Sequence, residues 1–207
     1  MSRKRVAVLI SGRGSNMVAL IEAAREPAYP AEIVVVLSND PAAQGLQRAA
    51  AANIPTSVVD HRQFGRNREA FERAMQRELE ARNVELVCLA GFMRLLTPWF
   101  VRQWEGRLLN IHPALLPALK GLDTHARALA AGAQEHGATV HFVVPEMDAG
   151  PIIVQDAVPV LAGDTEASLA ARVLEVEHRI YPQALRLVAE GRVRIENGKC
   201  LIDGKLG

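Results

Sequence analysis

Short apolar runs that stop at glycine, serine or asparagine, each followed by a helix-patterned stretch, constrain this chain more than any other feature. Val6-Ala7-Val8-Leu9-Ile10 is apolar at every position and ends at Ser11-Gly12. A strand with one wet face alternates; an unbroken run suits a strand covered on both faces, as in a parallel sheet. A helix over residues 16–25 follows. Residues 33–37 repeat the pattern and end at Ser38-Asn39-Asp40-Pro41, with a helix expected over 42–52, although Gly45 weakens it. Residues 56–59 read as a third strand. Phe71, Met75 and Leu79 then recur with charges between them, an amphipathic helix. Residues 86–90 and 108–111 supply two more strands. Strands alternating with helices through short connections predict an α/β fold on an open, doubly wound, mostly parallel sheet.

The second half changes character. Residues 139–144 and 152–160 are strand-like and separated by a tight stretch at 145–151, which predicts antiparallel additions to the sheet. Asp164 or Thr165 is placed to cap a long helix with Glu166 in its first turn and a buried stripe of Leu169, Val173, Val176 and Ile180. Pro182 is expected to kink or divide that helix. Residues 192–195 and 200–202 flank Asn197-Gly198, a hairpin signal. With 207 residues, no repeat and no linker composition, residues 1–207 read as a single domain.

Composition removes several classes of function. Hydrophobic residues make up 49% of the chain, enough for an ordinary core, and the net charge is +1. A nucleic-acid partner usually shows as a clustered basic surplus, and Arg3-Lys4-Arg5 reads as a solvated tip instead. Two isolated cysteines, Cys88 and Cys200, make neither a disulfide framework nor a zinc site, so a reducing cytoplasm is the expected compartment. The run at 6–10 is too short for a signal-peptide core, and no apolar stretch is long enough for a membrane span. Small molecules are the expected partners, with no nucleic acid, no membrane and no metal.

Two segments carry chemistry. Ser11-Gly12-Arg13-Gly14-Ser15-Asn16 joins the first strand to the first helix. Glycines there let backbone approach a ligand, and free amides at a helix start favour an anion. Met17 stands where a dinucleotide fingerprint needs glycine, and no Gly-Lys-Ser/Thr follows for a P-loop. Two readings stay open: one phosphate held by Gly14, Ser15 and Asn16, or a plain strand-to-helix turn. In Leu108-Leu109-Asn110-Ile111-His112-Pro113, two polar residues alternate at the end of a buried strand, so Asn110 and His112 share a face. Asn can donate to a developing oxyanion and His can exchange protons near neutral pH; the alternative is a polar pair satisfying turn backbone. Asp148 in Glu146-Met147-Asp148-Ala149-Gly150-Pro151 adds a carboxylate, or is simply a turn residue. No Ser, Thr or Cys is evidently placed beside them as a nucleophile, which favours direct attack by a substrate group. His136 and His141 do not read as a zinc pair; His141 either lines the site or is structural.

These segments, in order and spacing, resemble the folate-dependent glycinamide ribonucleotide formyltransferase family of purine synthesis. The resemblance runs end to end, through Leu89-Ala90-Gly91-Phe92-Met93-Arg94-Leu95-Leu96, Gly121-Leu122-Asp123-Thr124-His125, His136-Gly137-Ala138-Thr139-Val140-His141-Phe142-Val143 and Glu177-His178-Arg179-Ile180-Tyr181-Pro182. It implies transfer of a formyl group from 10-formyltetrahydrofolate, as co-substrate, to the amine of 5-phosphoribosylglycinamide. It implies Asn110, His112 and Asp148 as the catalytic set, with Gly14, Ser15, Asn16 and Glu177 on the ribotide. Met93, Arg94 and Leu95 would lie near the pterin and Arg68 near the glutamate tail, although Arg68 also reads as an exposed helix arginine. A homodimer is compatible with the resemblance. Leu174 and Asp123 depart from the family pattern, at positions near the phosphate and the catalytic histidine.

Three other readings share part of this pattern. A formyltetrahydrofolate deformylase replaces the amine by water and usually carries an extra N-terminal domain. A Met-tRNA formyltransferase adds a C-terminal domain and must bind RNA. A non-catalytic sensor of a phosphate ligand would not need Asn110, His112 and Asp148 together.

Overall fold

The computed structural model describes residues 2–206, which gather into two compact units divided between Leu109 and Asn110. In the first unit, β1 (Lys4–Ile10) and α1 (Ser15–Ala24) are followed by β2 (Ala31–Ser38), α2 (Gln44–Ala51), β3 (Thr56–Val58), α3 (Arg68–Glu80), β4 (Leu86–Leu89) and α4 (Pro98–Gln103). β1 runs parallel to both β2 and β4, and β3 runs parallel to β2. Val6, Ala7, Val8, Leu9 and Ile10 are all 0% exposed, as a strand covered on both faces requires. Ser11, Asn39 and Gly91 therefore follow the carboxyl ends of three parallel strands, where open α/β sheets bind ligands.

β5 (Leu108–His112) crosses the division, and the second unit continues with α5 (Thr124–Ala130), β6 (Glu135–Phe142), β7 (Ile152–Pro159), α6 (Glu166–Ala189), β8 (Val193–Glu196), β9 (Lys199–Ile202) and β10 (Lys205–Leu206). β6 and β7 pair antiparallel, with a register shift between Val140 and His141. Thr165 caps α6: its hydroxyl accepts the Ser168 N–H at 3.2 Å while Ser168 Oγ accepts the Thr165 N–H at 3.0 Å. Such a cap contributes about 1 kcal/mol. Asn197 (φ 50°) and Gly198 (φ 75°) form the left-handed pair that a tight hairpin between β8 and β9 demands.

Several expectations are corrected. Pro182 does not divide the long helix, since α6 runs unbroken from Glu166 to Ala189. Proline removes one backbone donor, but the buried stripe continues past it through Ala184, Leu185 and Leu187, and that packing holds the helix together. α2 is shorter than the expected 42–52. α4, α5, β10 and the 3-10 turn at His61–Phe64 were not anticipated; each is too short for hydrophobic periodicity to speak. α4 is instead held by local chemistry: the buried Glu72 carboxylate accepts the Thr97 N–H at 2.6 Å and the Thr97 hydroxyl, and Thr97 caps the helix with Pro98 at its first position.

The second unit holds a pair of histidines, the buried His136 and the half-buried His125. His136 is 1% exposed, its Nε2 lies 3.1 Å from His125 Nδ1, and burial, with the neighbouring histidines, lowers its pKa to about 4. The folded state then binds fewer protons than the unfolded chain between the ordinary histidine value and about 4. Its contribution to stability is complete above about pH 6.5 and is lost as pH falls from there toward 4. A series of thermal melts from pH 7.5 to 4 is expected to show a falling midpoint, and His136→Gln is expected to flatten that fall. Equal slopes for both proteins would contradict the assignment.

Candidate active site

In the first unit, β1 hands the chain to a turn closed by glycine packing. Gly14 has φ 71° and precedes α1, whose first turn has no side-chain cap and no acidic residue. A left-handed residue costs about 1–2 kcal/mol without glycine. Gly45, whose sequence signal was a weakened helix, has a tertiary reason to be glycine. Its N–H donates to Gly12 O at 3.0 Å, and an added Cβ would lie 2.4 Å from Ile10 Cδ1 and 3.3 Å from Gly14 Cα. Ser15 is half-buried and Asn16 is 8% exposed, so the turn presents helix-start amides rather than side-chain bulk.

Arg68, Arg94 and Leu95 line one small cleft of the same unit, together with His61, Phe71 and Glu72. Arg68 is exposed at the start of α3 and donates from Nη2 to Leu95 O. Met93 is 66% exposed and Leu95 67%, an apolar pair left open on the segment after β4.

In the second unit, Asn110, His112 and Asp148 come together. His112 ends β5, is 5% exposed, and its Nε2 lies 2.9 Å from Leu119 O. A carbonyl only accepts, so Nε2 carries a proton, and Nδ1 faces Asp148 Oδ2 at 3.5 Å. Asp148 has φ 50°, and its Oδ2 accepts the Gly121 N–H at 2.9 Å. Thr139 pins the chain that leaves the cluster: its hydroxyl donates to Ala114 O at 2.6 Å and accepts the Leu116 N–H at 3.1 Å.

His141 joins this cluster. Its Nδ1 lies 2.8 Å from Phe142 O and therefore donates. Burial first, against the partly opposing Phe142 carbonyl and Asp148, lowers its pKa below the ordinary value; with the proton on Nδ1, the neutral ring has Nε2 bare. A bare Nε2 accepts from Asn110 Nδ2 at 3.3 Å, which fixes which end of the Asn110 amide faces it and leaves the second Nδ2 hydrogen free to point elsewhere. His141 Nε2 is also 3.9 Å from Asp148 Oδ1. The pairing shifts here, Val140 lying opposite Val154 and His141 opposite Ile152, so the extra residue, Ile153, belongs to β7.

A family profile described as Formyl transferase matches residues 4–185. The chain belongs to the formyl transferase family. Phosphoribosylglycinamide formyltransferase of Escherichia coli (strain K12) is 45% identical over 200 residues, covering 97% of this chain and 94% of that protein. The trifunctional purine biosynthetic protein adenosine-3 of Gallus gallus is 53% identical over 199 residues, 96% of this chain but 20% of the relative, so the chain spans about a fifth of that protein. The crystal structure of glycinamide ribonucleotide transformylase 1 from Symbiobacterium toebii superposes with a TM-score of 0.93 at 46% identity, over 97% of this chain and 94% of that one. The mostly parallel α/β sheet with antiparallel strands toward the C-terminus is thus the architecture of a formyl transferase.

Of the remaining expected site residues, Glu177 is 8% exposed on the buried face of α6. The two departures from the family pattern sit in ordinary surroundings. Leu174 is half-buried on α6, and Asp123 is an exposed residue with φ 55° at the start of α5, without a side-chain cap bond. Among the described residues, no group of three or more His, Cys, Asp and Glu could hold a metal ion, and no helix is long and apolar enough to cross a membrane. His141, Gly45 and the Thr139 post are the contributors that sequence reasoning missed or left undecided. The signals available were the alternation Thr139-Val140-His141 and a glycine retained inside a helix-patterned stretch.

Proposed function

We propose that residues 1–207 work as one cytoplasmic formyltransferase domain. It moves the formyl group of 10-formyltetrahydrofolate onto the amine of 5-phosphoribosylglycinamide in purine synthesis. The observation that carries this reading is the convergence of Asn110, His112 and Asp148, with His141 orienting the Asn110 amide. The family's chemistry and the names of the relatives support the same substrates.

In the proposed reaction the glycinamide nitrogen attacks the formyl carbon directly. The carbonyl becomes a tetrahedral oxyanion, which the free Asn110 Nδ2–H and, once it turns from Leu119 O, the His112 Nε2–H stabilise. One such donor is worth about 3 kcal/mol in a transition state. Collapse breaks the bond between the formyl carbon and the folate N10. The amine gives up a proton to Asp148 through a bridging water, and Asp148 passes it on to N10 as that nitrogen leaves, so the carboxylate is restored and charge and atoms balance. Asp148 Oδ2 lies 3.5 Å from His112 Nδ1 and orients the imidazole as the oxyanion develops. Gly14, Ser15 and Asn16 hold the ribotide phosphate, Glu177 the glycinamide ribotide, Met93, Arg94 and Leu95 the pterin side of the folate, and Arg68 its glutamate tail.

The test is consumption of 10-formyltetrahydrofolate with and without the ribotide. Consumption that requires the ribotide and yields formylated ribotide is expected. Consumption without it would replace this reading by a deformylase, and none under either condition would leave a binding protein. The glycine turn gives a second check. Gly45→Ala drives a methyl into Ile10 and the turn, so the ribotide KM is expected to rise about tenfold with kcat little changed. An unchanged KM would remove the turn from the ribotide site.

A further inference from the structure

Asn39 follows β2 and is 3% exposed. A buried amide is costly unless both its ends are paired, and here both are. Ser11 Oγ donates to Asn39 Oδ1 at 2.5 Å, and Asn39 Nδ2 lies 3.1 Å from His61 Nδ1. Ser11 is itself engaged by the segment after β4: Met93 N–H donates to Ser11 Oγ at 2.8 Å, and Ser11 N–H donates to Gly91 O at 3.2 Å. His61 is fixed from behind, since its backbone N–H donates to Asn39 O at 3.3 Å and its ring meets Phe71 edge-on at 6.4 Å. It also lines the cleft that contains Arg68, Arg94 and Leu95. Polar contacts thus run without a break from Met93 N–H through the Ser11 hydroxyl and the Asn39 amide to the His61 ring.

His61 Nδ1 is also 2.9 Å from Asn39 O. If that nitrogen carries its proton, it donates to the carbonyl and the Asn39 amide turns over, placing Nδ2 on Ser11 Oγ. In either arrangement Asn39 bridges Ser11 and His61. Replacing its side chain removes that bridge, while Ser11 Oγ keeps the Met93 N–H and His61 Nδ1 keeps the Asn39 backbone carbonyl.

We propose that Asn39 is a positioning residue for formyl transfer: by bridging Ser11 and His61 it locks the glycine turn and the 91–95 segment in one register. Ribotide binding at the turn and folate binding at that segment therefore favour each other. This rests on the placement of the two ligands proposed above. Asn39 touches neither ligand and acts through Ser11 and His61.

The test is calorimetric titration of tetrahydrofolate, the folate product, into the wild-type protein with and without saturating phosphoribosylglycinamide. The ribotide is expected to tighten tetrahydrofolate binding about fivefold or more. By linkage, tetrahydrofolate tightens ribotide binding by the same factor. Asn39→Ala is expected to bring that factor close to one while each ligand still binds alone. Asn39→Asp keeps an acceptor for the Ser11 hydroxyl and is expected to restore part of it. Ser11→Ala removes a hydroxyl alone and carries the test if circular dichroism shows Asn39→Ala unfolded; it too is expected to lose the coupling. A factor of one in the wild type, or a wild-type factor in the folded variants, overturns the proposal. Wild-type protein that binds neither ligand overturns the functional reading beneath it, so the two failures are distinguishable.

Discussion

Asp148→Asn is expected to lower kcat by about a hundredfold or more with the melting temperature close to wild type. The side chains are nearly isosteric. The amide oxygen can take over the Gly121 N–H that Asp148 Oδ2 now accepts at 2.9 Å, and the amide nitrogen can face the bare His141 Nε2, now 3.9 Å from Asp148 Oδ1. What disappears is the negative charge beside His112 Nδ1 and the group that receives the amine proton. His112→Ala is expected to cost as much, because it removes the imidazole that answers that charge. Since the two act as a unit, the double variant is expected to be little worse than either single one. Steady-state kinetics of the three variants checks this, and costs that multiply in the double variant would mean the two residues work separately.

Gly150→Ala is expected to lower kcat by about a hundredfold through geometry alone. An added Cβ would lie 1.7 Å from Phe142 O and 2.8 Å from Phe142 C, too close for side-chain adjustment to relieve. Phe142 O is the acceptor that holds the proton on His141 Nδ1, and Phe142 N–H donates to Pro151 O at 2.9 Å. The methyl must therefore displace either the carbonyl that sets the His141 tautomer, and through it the Asn110 amide, or the turn that carries Asp148. Overpacking of this kind also costs about 1–3 kcal/mol of stability. Turnover and the urea midpoint should fall together; wild-type kinetics with an unchanged midpoint would show that the turn tolerates the methyl and does not set the cluster.

The parts of this fold that could be read from the chain are those whose physics is local. Strands covered on both faces leave unbroken apolar runs, so β1, β2 and β4 were expected within a few residues of where they lie. Asn110 and His112 alternate at the end of such a run, and both reach the cluster. Asn197-Gly198 announces its hairpin because few other pairs adopt two positive φ angles in sequence. The rest depends on contacts distant in sequence. His141 meets the Asn110 amide from another strand, 31 residues further along the chain. Gly45 reads as a helix defect until Ile10 and Gly14 are packed against it. Pro182 reads as a helix break until the stripe on both sides of it is buried. Asn39 reads as a turn residue until its amide is found between Ser11 and His61.

The central claim is direct attack by the ribotide amine within the Asn110, His112 and Asp148 cluster. Single-turnover transfer of a radiolabelled formyl group from 10-formyltetrahydrofolate, stopped in acid at successive times, tests it most directly. The account predicts that label leaves the folate and enters the ribotide in one phase, with none retained on precipitated protein and with that phase about a hundredfold slower in Asn110→Ala. Label accumulating on the protein before it reaches the ribotide, or a phase in Asn110→Ala as fast as in the wild type, would contradict it.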